Sequence, residues 1–541
     1  MEDGESEAVP HPASASLPPP RKVLPPHELV LAPMVGASEL AYRLLCRRHG
    51  AQLCYTPMMH ADKFAGDRTY RAAELQTAPG DAPLVAHFCG NEPRTLLRAA
   101  KLAQDRCCAV DLNLGCPQRS AHSGNYGSFL CATQSGRAGV LRIVSTLALN
   151  LAVPVFCKIR LLDGGEEETV AFARQLEAAG CALLAVHGRL RGDPMHRRKG
   201  PADLSQVRAV KAALRIPVLT NGNVRSADEL LASLRETGAD GVMSAEAALD
   251  DAALFGRAAE AARRRRRRLR RQARAAKELR AARRGGRALS ADERRAVAAG
   301  KAARAELRAM PAFAKRGGAA TSGATAPLDL ADQYLALAAA HPPPAGITCV
   351  TFHLRRLCRD LLTQYELLTP LLAATTLAGA ARVVARCREL ADGRATFVAG
   401  GPPFVAEPPE EKALHAALAR HPGLTPAEAE AAARAAAAAA SARKRTSFEE
   451  RMVKRARAEG LADDQTYVRA GLTPPSAADV AAARTMGAAE QRTWWAARFG
   501  RHCREAHIDG RCPWELDPRG CGYLHPGEPA GDDGTCEMCS G

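Results

Sequence analysis

The stretch "AVDLNLGCPQ", Ala109 to Gln118, is a short apolar run that ends at Asn113 and Leu114 and then turns on Gly115, Cys116 and Pro117. A run of this length bounded by turn residues reads as a buried strand. Pro117 restricts Cys116 to extended backbone, and Gly115 permits a close approach of the chain. The same plan recurs along the chain. "LVLAPM", "QLCYTP", "LVAHFC", "VPVFCKIR", "LLAVHGR", "IPVLTNGN" and "DGVMSA" complete a set of eight β-prone runs between about Leu29 and Met243, separated by longer helix-like stretches. Parallel strands joined by helical crossovers produce that alternation. Eight units in this length predict an α/β fold, a closed (β/α)8 TIM barrel in preference to an open doubly wound sheet.

Polar, glycine and proline residues collect where the runs end. They are Pro33 and Met34, Thr56 to Met58, His87 to Gly90, Asn113 to Pro117, Lys158 and Arg160, His187 to Arg189, Asn221 to Asn223, and Ser244 to Glu246. In a barrel the C-terminal strand ends form one mouth, where active sites sit and where the last two loops commonly hold a phosphate. Cys116 is therefore expected to face that mouth.

The 541 residues carry a formal charge of +17, from 75 Lys and Arg against 58 Asp and Glu, which points to a polyanionic partner with nucleic acid as the leading candidate. Of the 17 cysteines, five crowd into the last forty residues and the others are scattered through apolar segments, a reduced, intracellular pattern. The N-terminus, "MEDGESEAVPHPASASLPPP", is acidic and proline-rich, with neither a signal-peptide nor a transit-peptide pattern. No uncharged apolar run reaches the roughly 20 residues that cross a bilayer. A cytoplasmic or additionally nuclear protein with no membrane partner and no obligate protein partner is expected.

The organisation read from composition is a disordered segment at 1–27, the barrel at 28–258, and an Arg/Ala-rich basic insertion or linker at 259–327. A small helical domain follows at 328–395, then low-complexity linker and helices at 396–495 and a Cys/His-rich tail at 496–541. The insertion contains "RRRRRRLRRQARAAKELRAARRGGR", Arg263 to Arg287, helix-prone in part and without an evident apolar face. The tail sets Cys503, Cys512, Cys521 and His525 in a C-x8-C-x8-C-x3-H order, which can close a tetrahedral structural zinc site. It resembles a CCCH zinc finger, and Tyr523 within it could stack on a base.

From "LAPMVGASELAYRLLCRRHGAQLCYTPMMHADKF" through "DLNLGCPQ", "KIR", "VHGR" and "NGNV", the chain resembles the flavin-dependent tRNA-dihydrouridine synthases over about Leu29 to Phe255. The first stretch is most similar to the eukaryotic branch acting on D-loop uridines 16 and 17. The resemblance implies FMN in the mouth, NADPH or NADH as electron donor, and tRNA as substrate. It also implies that Cys116 is the acid that gives a proton to uracil C5 while the flavin gives hydride to C6. An ordinary cysteine, with its pKa near 8.5, stays protonated enough for that role.

By the same resemblance Pro33, Met34 and Val35 line the flavin, and Asn113 contacts the base or the flavin. Lys158 is placed to stabilise the anionic reduced flavin. His187 can donate to flavin or phosphate, while Asn221, Gly222, Asn223 and the backbone of Ala245 and Glu246 offer donors for the ribityl phosphate. Arg160 belongs to the substrate side of the mouth. Arg355, Arg356 and Arg359, on the helical segment that packs beside the barrel in the family, are candidates for tRNA phosphates. Two positions depart from the family pattern: His87 in "VAHFCGN" replaces the usual Gln, also expected at the cofactor, and "SAEA" replaces a Gly-Arg-Gly turn. Two other readings stand beside this one: an FMN barrel oxidoreductase acting on a small pyrimidine, and an RNA-binding protein whose barrel is inactive.

Overall fold

The computed structural model describes residues 22–192, 201–315, 325–407 and 475–499, with isolated positions 425, 427, 428, 431, 504 and 508. The chain divides into two units, Met1–Arg359 and Asp360–Gly541.

All eight predicted runs are strands of the first unit. They are β1 Leu29–Leu31, β2 Leu53–Tyr55, β3 Leu84–Cys89, β4 Ala109–Leu114, β5 Val155–Leu161, β6 Leu183–Leu190, β7 Val218–Asn221 and β8 Gly241–Ser244. Each pairs in parallel with its successor, and β8 pairs with β1, so the ring is closed. A further two-residue strand, Met59–His60, lies along the upper end of β3.

Strand side chains alternate between two cores. Val30, Leu53, Val85, Ala109, Phe156, Leu183, Leu219 and Met243 fill the lower barrel interior. The intervening residues, such as Leu84, Ala86, Phe88, Leu112, Cys157, Ile159, Leu184 and Val186, pack outward among helix residues including Leu96, Ile143, Leu147, Phe172, Leu176 and Val207. Removing each of these larger side chains from water contributes about 1.5–3 kcal/mol before entropy is counted. The helices start where the sequence caps them. Asp203 accepts from the N–H groups of Ser205 and Gln206, Ser226 accepts from Glu229, and Gly238 closes its helix in the left-handed region at φ 65°.

After the barrel, α1 (Leu254–Arg284) and α2 (Ala291–Ala309) form a helical hairpin. The basic stretch is thus a folded element, and it has a buried seam. Leu269, Ala276 and Ala303 are buried, and a Cβ on Gly300 would meet the Ala276 Cβ at 2.0 Å. The seam escapes a hydrophobicity reading because alanine and glycine form most of it. Ser290 and Glu293 form a capping box at the start of α2, and Arg265 pairs with Glu306 at 2.8 Å.

The molecule divides at residue 359, later than the composition boundary at 328. Helices α3 (Pro327–Ala340) and α4 (Ile347–Leu357) belong to the barrel unit. They meet it at buried Glu39, which accepts from Tyr334 Oη at 3.0 Å and pairs with His353 Nε2 at 3.1 Å. In the second unit, Leu377–Ala391 is capped by Thr376, whose backbone N–H donates to Glu407 at 2.8 Å. There, too, a helix pair at Ala477–Arg484 and Ala488–Arg498 buries Trp495 and Phe499.

Candidate active site

The alternation that fills the lower barrel with apolar groups puts polar ones above them, on the same inward-facing positions. Reading upward, β3 carries His87 above Val85, β4 carries Asp111 and Asn113 above Ala109, and β5 carries Lys158 and Arg160 above Phe156. Likewise β6 carries His187 and Arg189 above Ala185, and β7 carries Asn221 above Leu219. Register sets neighbours side by side: Asn113 with Lys158, Arg160 with His187, and His187 with Asn221.

Cys116 sits on the loop after β4 in a frame of backbone bonds. Asn113 Oδ1 accepts from the N–H groups of both Gly115 and Cys116 at 3.0 Å. The Cys116 carbonyl accepts from Ser128 N at 3.1 Å and Ser128 Oγ at 2.9 Å. Gly127, at φ +67°, lies so close that a Cβ there would stand 2.7 Å from the Cys116 oxygen. Arg160 Nε donates to the Gly115 carbonyl at 2.9 Å, fixing the turn from the neighbouring strand. The half-buried Cys116 packs, as Met58 and Phe129 do, against a cluster of Cys89, Ala121 and Tyr126, and the His60 ring meets that of Tyr126 edge to face.

Beside Cys116, Lys158 Nζ donates to Asn221 Oδ1 at 3.0 Å, and Asn221 Nδ2 donates to the Met243 carbonyl at 2.9 Å. Burial, and then the Arg160 charge, pull the Lys158 pKa down to about 8. Arg160 is lowered to about 10, by burial first and then by Arg189. His187 is held well below the usual imidazole range by burial and by Lys158, Arg160 and Arg189, so it stands as a neutral ring among cations. Arg189 Nε is buried and has no hydrogen-bond partner among the described residues. The mouth therefore concentrates positive charge, and in Arg189 Nε it holds a donor without an acceptor among the described residues, a set that suits an anionic ligand with several oxygen acceptors, such as a flavin phosphate.

Other predicted cofactor residues hold bonds within the protein. His87 is only 2% exposed, and its Nδ1 lies 2.6 Å from Asp111 Oδ2. That contact needs a proton between the two groups, and burial raises the Asp111 pKa against the opposing pull of His87. His87 is thus committed beneath the mouth to a partner that the sequence reading left out. Asn223 is a clamp: its Nδ2 donates to the Ala202 carbonyl at 2.7 Å and its Oδ1 accepts from Ala202 N at 2.6 Å. Gly222, at φ +119°, lies where a Cβ would be 2.6 Å from Ala202, so the loop after β7 and residue 202 are in tight contact.

Pro33, Met34 and Val35 form the loop after β1, where Ser38 Oγ bonds both the N–H and the carbonyl of Met34 and leaves the Val35 side chain 67% exposed. A cavity of about 410 Å³ runs under this loop between Val35, Met58, His60, Tyr70 and Pro344. At the loop after β8, Ala245 precedes a short helix, and Glu246 is neutralised by Arg356 at 2.8 Å. Arg356 also bonds Asp250 at 2.6 Å, and Arg359 lies 3.6 Å from the same carboxylate. Two of the three arginines expected on phosphate are therefore turned toward acids of their own unit. Arg355 lies over the Phe352 ring. Cys503, Cys512, Cys521 and His525 lie outside the described residues. Among the described residues, Glu39, Cys349 and His353 bring potential ligand atoms within 4.8 Å of one another. Hydrogen bonds already engage them, Glu39 with Tyr334 and His353, and the Cys349 thiol with the Gly36 carbonyl at 3.4 Å.

Asp111, His60 and Tyr126 were not singled out by sequence, and Arg189 was noted at its strand end without a role. Strand parity identifies Asp111 and gives Arg189 its place, since both share the inward face with the predicted site residues. Gly127 carried no signal, because its role is a close approach from a different loop.

These features define a parallel (β/α)8 barrel whose mouth combines a framed thiol with a half-buried lysine and two arginines. The family model described as dihydrouridine synthase (Dus) matches residues 30–315, just over half of the chain. The chain is 48% identical over 232 residues to a Rattus norvegicus protein named tRNA-dihydrouridine(16/17) synthase [NAD(P)(+)]-like, covering 42% of this chain and 51% of that one. It is 41% identical to the Schizosaccharomyces pombe tRNA-dihydrouridine(16/17) synthase [NAD(P)(+)], covering 42% and 56%. A Homo sapiens tRNA-dihydrouridine(20a/20b) synthase [NAD(P)+]-like protein is 35% identical, with 42% and 70% covered. The chain belongs to the dihydrouridine synthase family. It spans about half the length of the 16/17-type relatives that it matches. No helix among the described residues is long and apolar enough to cross a membrane.

Proposed function

We propose that this chain is an FMN-dependent tRNA-dihydrouridine synthase that reduces the 5,6 double bond of D-loop uridines, at positions 16 and 17, with NADPH or NADH as the source of electrons. The observation that carries the reading is the Cys116 frame: a thiol fixed by Asn113, Ser128 and Gly127 at the rim of a cationic barrel mouth. When bound there, reduced FMN supplies hydride to uracil C6. Cys116 holds the proton that C5 takes up, and the thiolate left behind is reprotonated from solvent. Lys158 and Arg160 balance negative charge beside Cys116 in the mouth, and Asn221 orients the Lys158 amine. Neutral His187 offers a hydrogen bond without adding charge. The target base must leave its stack to reach Cys116, since its faces are otherwise covered. Arg355 and the basic segments are placed on the tRNA body in this reading. The tail cysteines with His525 are assigned a structural zinc ion.

Absorption of the purified chain and mapping of dihydrouridine in tRNA from a deletion strain test the proposal. Bound flavin together with loss of dihydrouridine at 16 and 17 is expected. A flavin-free chain would favour the inactive RNA-binding reading, and flavin with an unchanged tRNA map would favour a small-pyrimidine substrate.

A further inference from the structure

The net charge of this protein is not spread over its surface. Residues 254–309 hold twenty Lys and Arg against five Asp and Glu, a surplus of fifteen within a total of +17. These residues are the α1–α2 hairpin. Its acids are largely engaged at home: Glu260 with Arg264, Glu278 with Arg274, Glu306 with Arg265, Glu293 with Arg287, and Asp292 with Arg295. The surplus lies on α1 away from the seam, where Arg267, Arg270, Arg271 and Lys277 are exposed and pair with no acid among the described residues. With Arg263, Arg274 and Arg284 these form a band in which, apart from the adjacent Arg270 and Arg271, successive members are three, four or seven residues apart and so keep to one side of the helix. From Arg263 to Arg284 the band runs for about 30 Å at 1.5 Å per residue.

Like charges one turn apart oppose helix formation. The hairpin resists that repulsion through its Gly300–Ala276 contact, its capping box and the Arg265–Glu306 pair, all of which leave the outer face untouched. A rigid row of cations at one-turn intervals, with its local acids already satisfied, is complementary to a polyanion with regularly spaced charges. We infer that the outer face of α1 is a docking rail for the phosphate backbone of RNA, used without regard to base sequence. The choice of RNA as the polyanion rests on the function proposed above. The rail itself rests on the charge and geometry of the hairpin.

The test is binding of the full-length chain, across a salt series, to unmodified tRNA and to an unrelated RNA duplex of about 20 base pairs. The comparison variant combines Arg267→Ala, Arg270→Ala, Arg271→Ala and Lys277→Ala. Losing four phosphate contacts should lower the slope of log affinity against log salt by about three for both RNAs, and weaken binding at least about tenfold near 0.1 M salt. Replacing the three arginines by lysine should restore most of both. Ultraviolet cross-linking of wild-type chain to RNA, which needs no variant, should label residues 263–284. Unchanged affinity and slope in the alanine variant overturns the rail, as does an absence of cross-links to α1. Normal RNA binding with lost attachment to phosphatidylserine vesicles overturns it in favour of a membrane. A chain that binds RNA through α1 but reduces no uridine leaves the rail standing and removes the catalytic reading instead.

Discussion

In the proposed reaction Cys116 and Lys158 have different parts and should fail differently. Removing the thiol with Cys116→Ala should leave flavin bound and reducible by NADPH, while uridine reduction falls by about 10²–10⁴, the usual scale of general acid catalysis. A single-turnover assay on unmodified tRNA reads this directly, and near-normal turnover would remove the thiol from the mechanism. Lys158 has a pH signature. Because burial and Arg160 bring its pKa down to about 8, the ammonium is present below that pH and is lost above it. The affinity of the flavin-free chain for FMN should therefore decline as pH rises through about 8, by at most tenfold per pH unit for one linked proton. Lys158→Gln should bind weakly with that step absent, and Lys158→Arg should keep its charge across the window. Titration of FMN fluorescence checks both. The positions of these residues at strand ends were legible in the sequence because polar residues ended each apolar run. What was not legible was pairing across strands: nothing in "VAHFCGN" shows that His87 meets Asp111, which requires the registry of β3 with β4.

Among the elements, the barrel strands declared themselves and the hairpin did not. A strand buried on both faces is a dense apolar run. Helix α1 buries only a narrow line of small side chains, so its outer arginines dominate any reading of its sequence. That line is nonetheless what holds the hairpin closed. Gly300→Leu would force a side chain into space already occupied by Ala276. Overpacking of this kind costs about 1–3 kcal/mol, and here it should appear as early, separate melting of helical signal with flavin content retained. Thermal unfolding followed by circular dichroism and by flavin fluorescence distinguishes that outcome from a global loss. A single coincident transition, shifted or not, would mean that hairpin and barrel unfold together.

At the scale of the molecule, the barrel unit runs to Arg359 because α3 and α4 share buried polar bonds with it, a tertiary fact invisible to composition. The tail is a separate matter. If Cys503, Cys512, Cys521 and His525 hold zinc, the purified chain should carry about one metal ion and Cys521→Ser should lose it, with flavin absorption unchanged. Elemental analysis of protein prepared without chelator decides this, and metal retained in Cys521→Ser would exclude the proposed ligand set. Glu39 carries another consequence, one of timing. It stands directly after the loop that lines the mouth, and its partner His353 lies 314 residues later in the chain. At about 5–20 residues per second, synthesis must continue for roughly a quarter of a minute to a minute before that partner exists. Until then Glu39 lacks both the helices that cover it and the histidine that pairs with it, so this corner of the nascent barrel is completed only after α4 has been made.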